Sequence, residues 1–135
     1  MSEYTSKQAR EYLKTLPAKD RKLPKAFKRK WLEALRSGDY ARTTGQLCKI
    51  EEKVSGETKV GYCCLGVAGV VLGCDTNKLG NHAVLNISHG VKQKVPKVLV
   101  SSHDNKVVDY LVYLNDTTRR KAGFKTIANW VEKYL

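Results

Sequence analysis

The sequence predicts an α+β fold: three to four helices packed with a small antiparallel sheet in a single domain. Three observations predict it. Phe27, Trp31, Ala34 and Leu35 fall at i, i+4, i+7 and i+8, and Phe124, Ile127, Ala128, Val131 and Tyr134 keep a helical spacing farther along. Between them, segments 46–54 and 57–63 flank Ser55-Gly56, a hairpin pattern. The glycine-spaced run "LGVAGVVLG" follows at once and reads as a buried helix closed by Gly73.

Taken in order, residues 1–23 read as a basic N-terminal segment and 24–135 as the compact α+β domain. Within the first, Ser6 is placed to cap a short helix sharing Ala9, Tyr12, Leu13 and Leu16 on one face, ending before Pro17. "PAKDRKLP" is a charged connector punctuated by proline. Pro24 suits a first helical turn and Gly38 a stop, giving a helix over 24–37. The 46–63 hairpin leads into a helix over 64–73. Gly66, Ala68 and Gly69 leave that helix a side almost without side chains, where a neighbour approaches closely or a ligand fits. From 75 to 105 short β-branched runs broken by Asn, Gly and Pro predict irregular strands and loops. Ser102 is placed to cap a helix over 103–114, and a last helix covers 119–134.

Composition narrows the function classes. The chain of 135 residues carries +12, from 25 basic and 13 acidic side chains. Residues 1–36 alone hold eleven Lys/Arg against four Asp/Glu. Such a field draws phosphates, nucleic acid, acidic proteins or anionic membrane surfaces, or it simply keeps a small protein in solution. No apolar run reaches the ~18 residues of a membrane span, and "MSEYTSKQAREYLKTL" lacks the apolar core of a secretory signal. The expectation is a soluble cytoplasmic protein without a membrane partner, whose four cysteines remain thiols. A homo-oligomer is allowed.

Five kinds of site come into question. Cys63 and Cys64 stand where a helix begins, and a helix dipole there lowers a thiol pKa. With His82 or His89 as base they form the catalytic candidates, a cysteine hydrolase reading. A Cys-led helix ahead of a His is similar to the NlpC/P60-type cysteine peptidases. The sequence departs from that family in having Leu-Gly after the cysteine and seventeen residues between Cys64 and His82. The competing reading of both thiols is packing, one against the glycine face and one in the sheet-to-helix turn. The cysteine spacings match no zinc knuckle, so neither metal nor cofactor is expected. No phosphate-binding loop and no paired carboxylates are present.

Basic residues mixed with aromatics remain. "SGDYARTTG" reads as a loop after Gly38 with donors suited to an anion. The ligand-binding candidates are Arg36, Tyr40, Arg42, Thr43, Thr44, Asn115, Asp116, Arg119 and Arg120. Lys and Arg neutralise phosphates and Tyr40 can stack a base. For Asn115-Asp116 the structural alternative is a turn lock between two helices.

"WLEALRSGDYARTTGQLCK", "YCCLGVAGVVLG" and "LVYLNDTTRRKAGFKTIANWVEKYL" together resemble a family of small tailed-bacteriophage proteins. Its members share W-x-x-A-L-R-S-G-x-Y, C-C-L-G-V and L-N-D followed by F-x-x-I-A. Here these fall at Trp31–Tyr40, Cys63–Val67, Leu114–Asp116 and Phe124–Ala128. The family has no established activity; what the resemblance implies is a phage accessory protein in the cytoplasm of the host. The leading expectation is therefore a non-enzymatic protein that sequesters or blocks a host factor, in anti-defence or host takeover. Its partner is an acidic host protein or an anionic nucleotide; a nucleic-acid-binding accessory protein is the alternative.

Overall fold

The computed structural model describes residues 5–43, 47–52, 54–74, 95–100, 104–117 and 123–135. Helix α1 (Ser6–Thr15) starts at a capping box. The Thr5 hydroxyl accepts from Gln8 N at 3.2 Å while Thr5 N donates to Gln8 Oε1 at 3.3 Å. The cap is thus Thr5, one residue before the expected Ser6. Ser6 instead bridges to other groups, its Oγ accepting from Trp130 Nε1 at 2.9 Å and from Arg10 Nε at 3.3 Å. Ala9 and Leu13 are buried, and Leu23 N donates to Leu135 O at 2.9 Å. Residues 5–23, expected as a segment apart from 24–135, therefore share its core. Burying an apolar stripe holds a ten-residue helix that charge alone would leave frayed.

After a 3-10 turn at Ala18–Asp20, helix α2 (Lys25–Ser37) follows Pro24. Phe27, Trp31 and Leu35 face inward, with the Phe27 and Trp31 rings stacked at 5.6 Å. Gly38 ends the helix in the left-handed region at φ +80°, a conformation that costs a side-chain-bearing residue more than glycine.

Strand β1 (Ala41–Arg42) then runs parallel to β3 (Thr58–Tyr62), which pairs antiparallel with β2 (Cys48–Glu52) in the order β1-β3-β2. The hairpin forms as expected, turning at Gly56 with φ +86°. The sheet, expected as antiparallel, is mixed, because the chain leaving Gly38 lays Ala41 and Arg42 along the inner strand of the hairpin. Thr43 N extends this pairing to Tyr62 O at 2.8 Å.

Helix α3 (Cys64–Val71) is buried on every side from Cys64 to Gly69, the pattern of a core helix. A Cβ on Gly66 would lie 1.8 Å from Leu47 O, so this glycine admits the backbone entering β2. The same carbonyl accepts from Cys63 N at 3.0 Å. That is the close approach expected of the glycine face.

A 3-10 turn (Lys97–Leu99) precedes helix α4 (Lys106–Thr117). Asn105 supplies a cap, its Oδ1 accepting from Val107 N and Val108 N at 3.0 and 3.1 Å, while the expected cap Ser102 lies outside the described residues. Its amide donates to Val98 O and Val100 O. The helix therefore begins later than the expected 103 and runs on through Leu114, Asn115 and Asp116. The expected turn lock is instead the last turn of α4. The described part of the final helix, α5 (Gly123–Tyr134), buries Ile127, Ala128, Trp130 and Val131.

The described residues thus form an α+β domain with five α-helices, one more than the expected three to four once the short helix after Ser6 is counted, and a three-stranded mixed sheet. α1 packs on α4, α2 on α3 and α5, and α4 on α3 and α5. Of the irregular strands and loops expected over 75–105, residues 75–94 and 101–103 lie outside the described residues, and Lys97–Leu99 form the 3-10 turn.

Candidate functional site

Two sets of chemically interesting residues meet around β1. The first is a dry junction at the start of α3. Cys63 caps the helix with its sulfur, which accepts from Gly66 N at 3.4 Å. Cys64 Sγ donates to Leu111 O at 3.7 Å, and Cys64 O accepts from Trp31 Nε1 at 3.0 Å. Asn115, fully buried, binds Cys64 N through its Oδ1 at 3.0 Å. Its Nδ2 donates to Thr43 O at 2.9 Å and Asp116 Oδ1 at 3.1 Å. One amide so ties α4 to the end of β1 and the start of α3. Asn115, expected at a ligand, acts at one remove from the surface, with every polar atom of its side chain bound inside.

Burial outweighs the helix dipole at the thiols. It pushes the Cys63 thiol up from 9.0 to about 11, against the lowering effect of the nearby backbone N–H groups. Cys64 is raised well above its ordinary value by burial first and by Cys63 second. Both are thiols at neutral pH, the opposite of the thiolate a hydrolase needs. His82 and His89 lie outside the described residues. All four cysteines are buried. The packing reading describes both Cys63 and Cys64: one in the sheet-to-helix turn, the other in the core.

The second set forms a cleft of about 600 Å³ on the other side of β1. The last turn of α2 contributes Leu35 and Arg36. The left-handed turn at Gly38 swings the chain back so that Tyr40, Ala41, Arg42 and Thr43 form one wall. Lys59 enters from β3, and Phe124 and Lys125 from the first turn of α5. Among the described residues its lining holds four cations and no carboxylate.

Three of the polar or aromatic groups here are anchored from behind. Arg36 donates to Asn129 Oδ1 at 3.1 Å and forms an ion pair with Glu132 on α5. Arg42 Nη1 donates to Asn115 O at 3.1 Å, capping the last turn of α4. Tyr40 meets Tyr62 edge-to-face at 5.2 Å. Burial, then the Tyr62 and Asp39 charges, raise the Tyr40 pKa, so it stays a phenol able to donate. Lys59 and Lys125 are exposed, on β3 and α5.

Of the expected ligand residues, Arg36, Tyr40, Arg42 and Thr43 come together in the cleft. Asp116, exposed at the end of α4, holds Asn115 and is not among the lining residues. Thr44, Arg119 and Arg120 lie outside the described residues. Lys59, Phe124 and Lys125 join the site without having been expected there. Phe124 and Lys125 sit in the basic, aromatic run "TTRRKAGFKT", which carried a signal. Lys59 carried none, since only the register of β3 against β1 brings it near.

No family model, curated protein or solved structure matches the chain. Among the described residues no group of three or more His, Cys, Asp or Glu could hold a metal ion. No described helix is long and apolar enough to cross a membrane.

Proposed function

We propose that the protein is a non-enzymatic binding protein whose cleft between α2, β1 and α5 takes a small phosphate-bearing ligand of the nucleotide class. The observation that carries this reading is the lining: Arg36, Arg42, Lys59 and Lys125 with no carboxylate among the described residues, beside the half-buried rings of Tyr40 and Phe124. Like charges gathered in one concavity repel, and a polyvalent anion turns that repulsion into attraction. The guanidinium of Arg42 and the ammonium groups of Lys59 and Lys125 suit phosphate oxygens, while the rings offer faces or edges to a base. The volume falls within the range of small-ligand sites, which favours a nucleotide over an acidic protein surface. In the setting the resemblance implies, a phage accessory protein in the host cytoplasm, such binding sequesters a host nucleotide by occupancy alone.

Thermal unfolding tests the reading, run with pyrophosphate, AMP, ADP, ATP and adenosine at low ionic strength. The expected result is a rise in Tm with ADP or ATP, a smaller one with pyrophosphate and none with adenosine. Ligand at a hundred times its Kd stabilises by about 2.7 kcal/mol. The Lys59→Ala, Lys125→Ala double variant should lose the shift. No shift with any phosphate, or the same shift in the double variant, would overturn the proposal.

A further inference from the structure

The far end of α5 carries a second cationic region of different shape. Lys7, Arg10 and Lys14 stand at i, i+3 and i+7 along α1, one face of the helix. With Glu11, Lys22 and Tyr134 they line an open groove of about 420 Å³. The Arg10 guanidinium lies 5.4 Å from the centre of the Tyr134 ring, and Lys133 Nζ lies 5.3 Å from it. Lys22 Nζ donates to Tyr134 O at 3.2 Å, at the carbonyl end of α5.

Carboxylates do not balance this cluster. The ion pairs among the described residues are Arg36–Glu132, Lys49–Glu51 and Lys97–Asp20, and none includes a groove cation. Lys22 is held by a helix-end carbonyl and Arg10 by Ser6 and a ring face, so both charges stay unneutralised. The row Lys7–Lys14 rises about 10 Å along α1, a length that meets successive phosphates of a strand and exceeds one phosphate group.

We infer that this groove is an interaction surface for the sugar-phosphate backbone of a nucleic acid, separate from the cleft at the other end of α5. Its chemistry separates it from other polyanion partners. A membrane surface or an acidic protein is held by apolar anchors besides charge. The exposed large apolar residues among those described, Ile50 and Val54, both belong to the β2–β3 hairpin. Leu13, the aliphatic residue among the described residues of the groove lining, is buried. Contacts of this kind read the backbone without base sequence and weaken with salt.

The test is fluorescence anisotropy of the full chain with a labelled 20-base-pair DNA duplex across a salt series. Co-sedimentation with phosphatidylserine vesicles runs beside it. The variant Lys7→Gln, Lys14→Gln, Lys22→Gln changes exposed side chains, and circular dichroism checks its fold. A control, Lys25→Gln, Lys30→Gln, Lys106→Gln, removes the same charge elsewhere. The expected result is duplex binding that weakens at least tenfold in the groove variant, with the slope of log K against log salt flattened by about 3. The control should keep most of its affinity, and the groove variant should keep the ADP response of the cleft. Equal losses in both triple variants would mean diffuse charge and overturn the inference. So would absent duplex binding at low salt, or vesicle binding in its place. An ADP response lost while duplex binding persists would count against the cleft alone.

Discussion

The junction of Cys63, Cys64 and Asn115 and the cleft beside it use neighbouring residues of the same elements, yet they spend polar groups in opposite ways. In the junction every polar atom of the Asn115 side chain is bound inside the protein, and both thiols are shut away from water. In the cleft, cations are braced from behind by Asn129, Glu132 and Asn115 O, while the described residues of the lining offer them no carboxylate. Arg42 and Thr43 belong to both regions, joined to α4 by the side chain and the carbonyl of one asparagine. The junction is a device for holding shape, and the cleft is the surface that shape presents. Substitutions should therefore separate the two: large losses of stability in the first, losses of binding with little effect on folding in the second.

The strongest way to break the comparison is Gly66→Ala. The new Cβ would lie 1.8 Å from Leu47 O, and backbone on backbone cannot relax as a flexible side chain can. Urea unfolding should report a loss of about 4 kcal/mol or more. A variant as stable as the parent would mean that β2 does not enter against α3 as described.

Next comes Asn115→Ala, which strands the buried Cys64 N without a partner and removes the tie to Thr43 O. A loss of about 3 kcal/mol is expected in the same measurement, and ADP binding should weaken as well because the β1 wall loses its tie. Loss of binding with full stability would make Asn115 a ligand residue after all.

The thiols give a pH-dependent contrast. Cys63 holds its proton to about 11 in the folded chain against an ordinary 9.0. The folded state thus binds this proton more tightly than the unfolded one. Its contribution is complete below pH 9 and disappears as pH rises from about 9 to 11, an effect of about 2 kcal/mol. Stability against urea, followed up to pH 11, checks the direction. Iodoacetamide at pH 7 should label Cys63 and Cys64 slowly in the folded state and rapidly in urea. Fast labelling of the folded protein would restore the case for a reactive cysteine.

The smallest effect on folding is expected in the cleft. Lys125→Ala, at an exposed position of α5, should change stability by no more than about 0.5 kcal/mol while reducing the ADP-induced rise in Tm. A large destabilisation there would turn the cleft into part of the scaffold.

Where the sequence was legible, local periodicity or turn chemistry carried the information. The stripe through Phe27, Trp31 and Leu35, the left-handed stop at Gly38, the Ser55-Gly56 turn and the glycine face of α3 all act over a few residues. The parallel pairing of β1 was not legible, because two residues carry no strand pattern and their partner lies about twenty positions away. The caps fell one and three residues from expectation, since Thr5 and Ser6, or Ser102 and Asn105, are equally good caps in isolation. The side chain of Asn105 is decided by carbonyls at Val98 and Val100 that only the folded chain brings near. The same holds for the cleft. Arg36, Tyr40, Arg42 and Thr43 were readable as one loop, whereas Lys59 arrives by strand register alone. The cysteine pair was legible as packing; the opposing cue, its position before a helix, argues for a lowered pKa, and burial reverses the sign.

The measurement closest to the central claim is a two-dimensional ¹H–¹⁵N NMR titration of the full chain with ADP, a good match to a protein of 15.2 kDa. A ligand-binding cleft predicts saturable shifts concentrated at Arg36–Thr43, Lys59, Phe124 and Lys125, with the amides of α1 unmoved. Shifts gathered instead around Lys7, Arg10 and Lys14, or a spectrum unchanged at millimolar ADP, would contradict it.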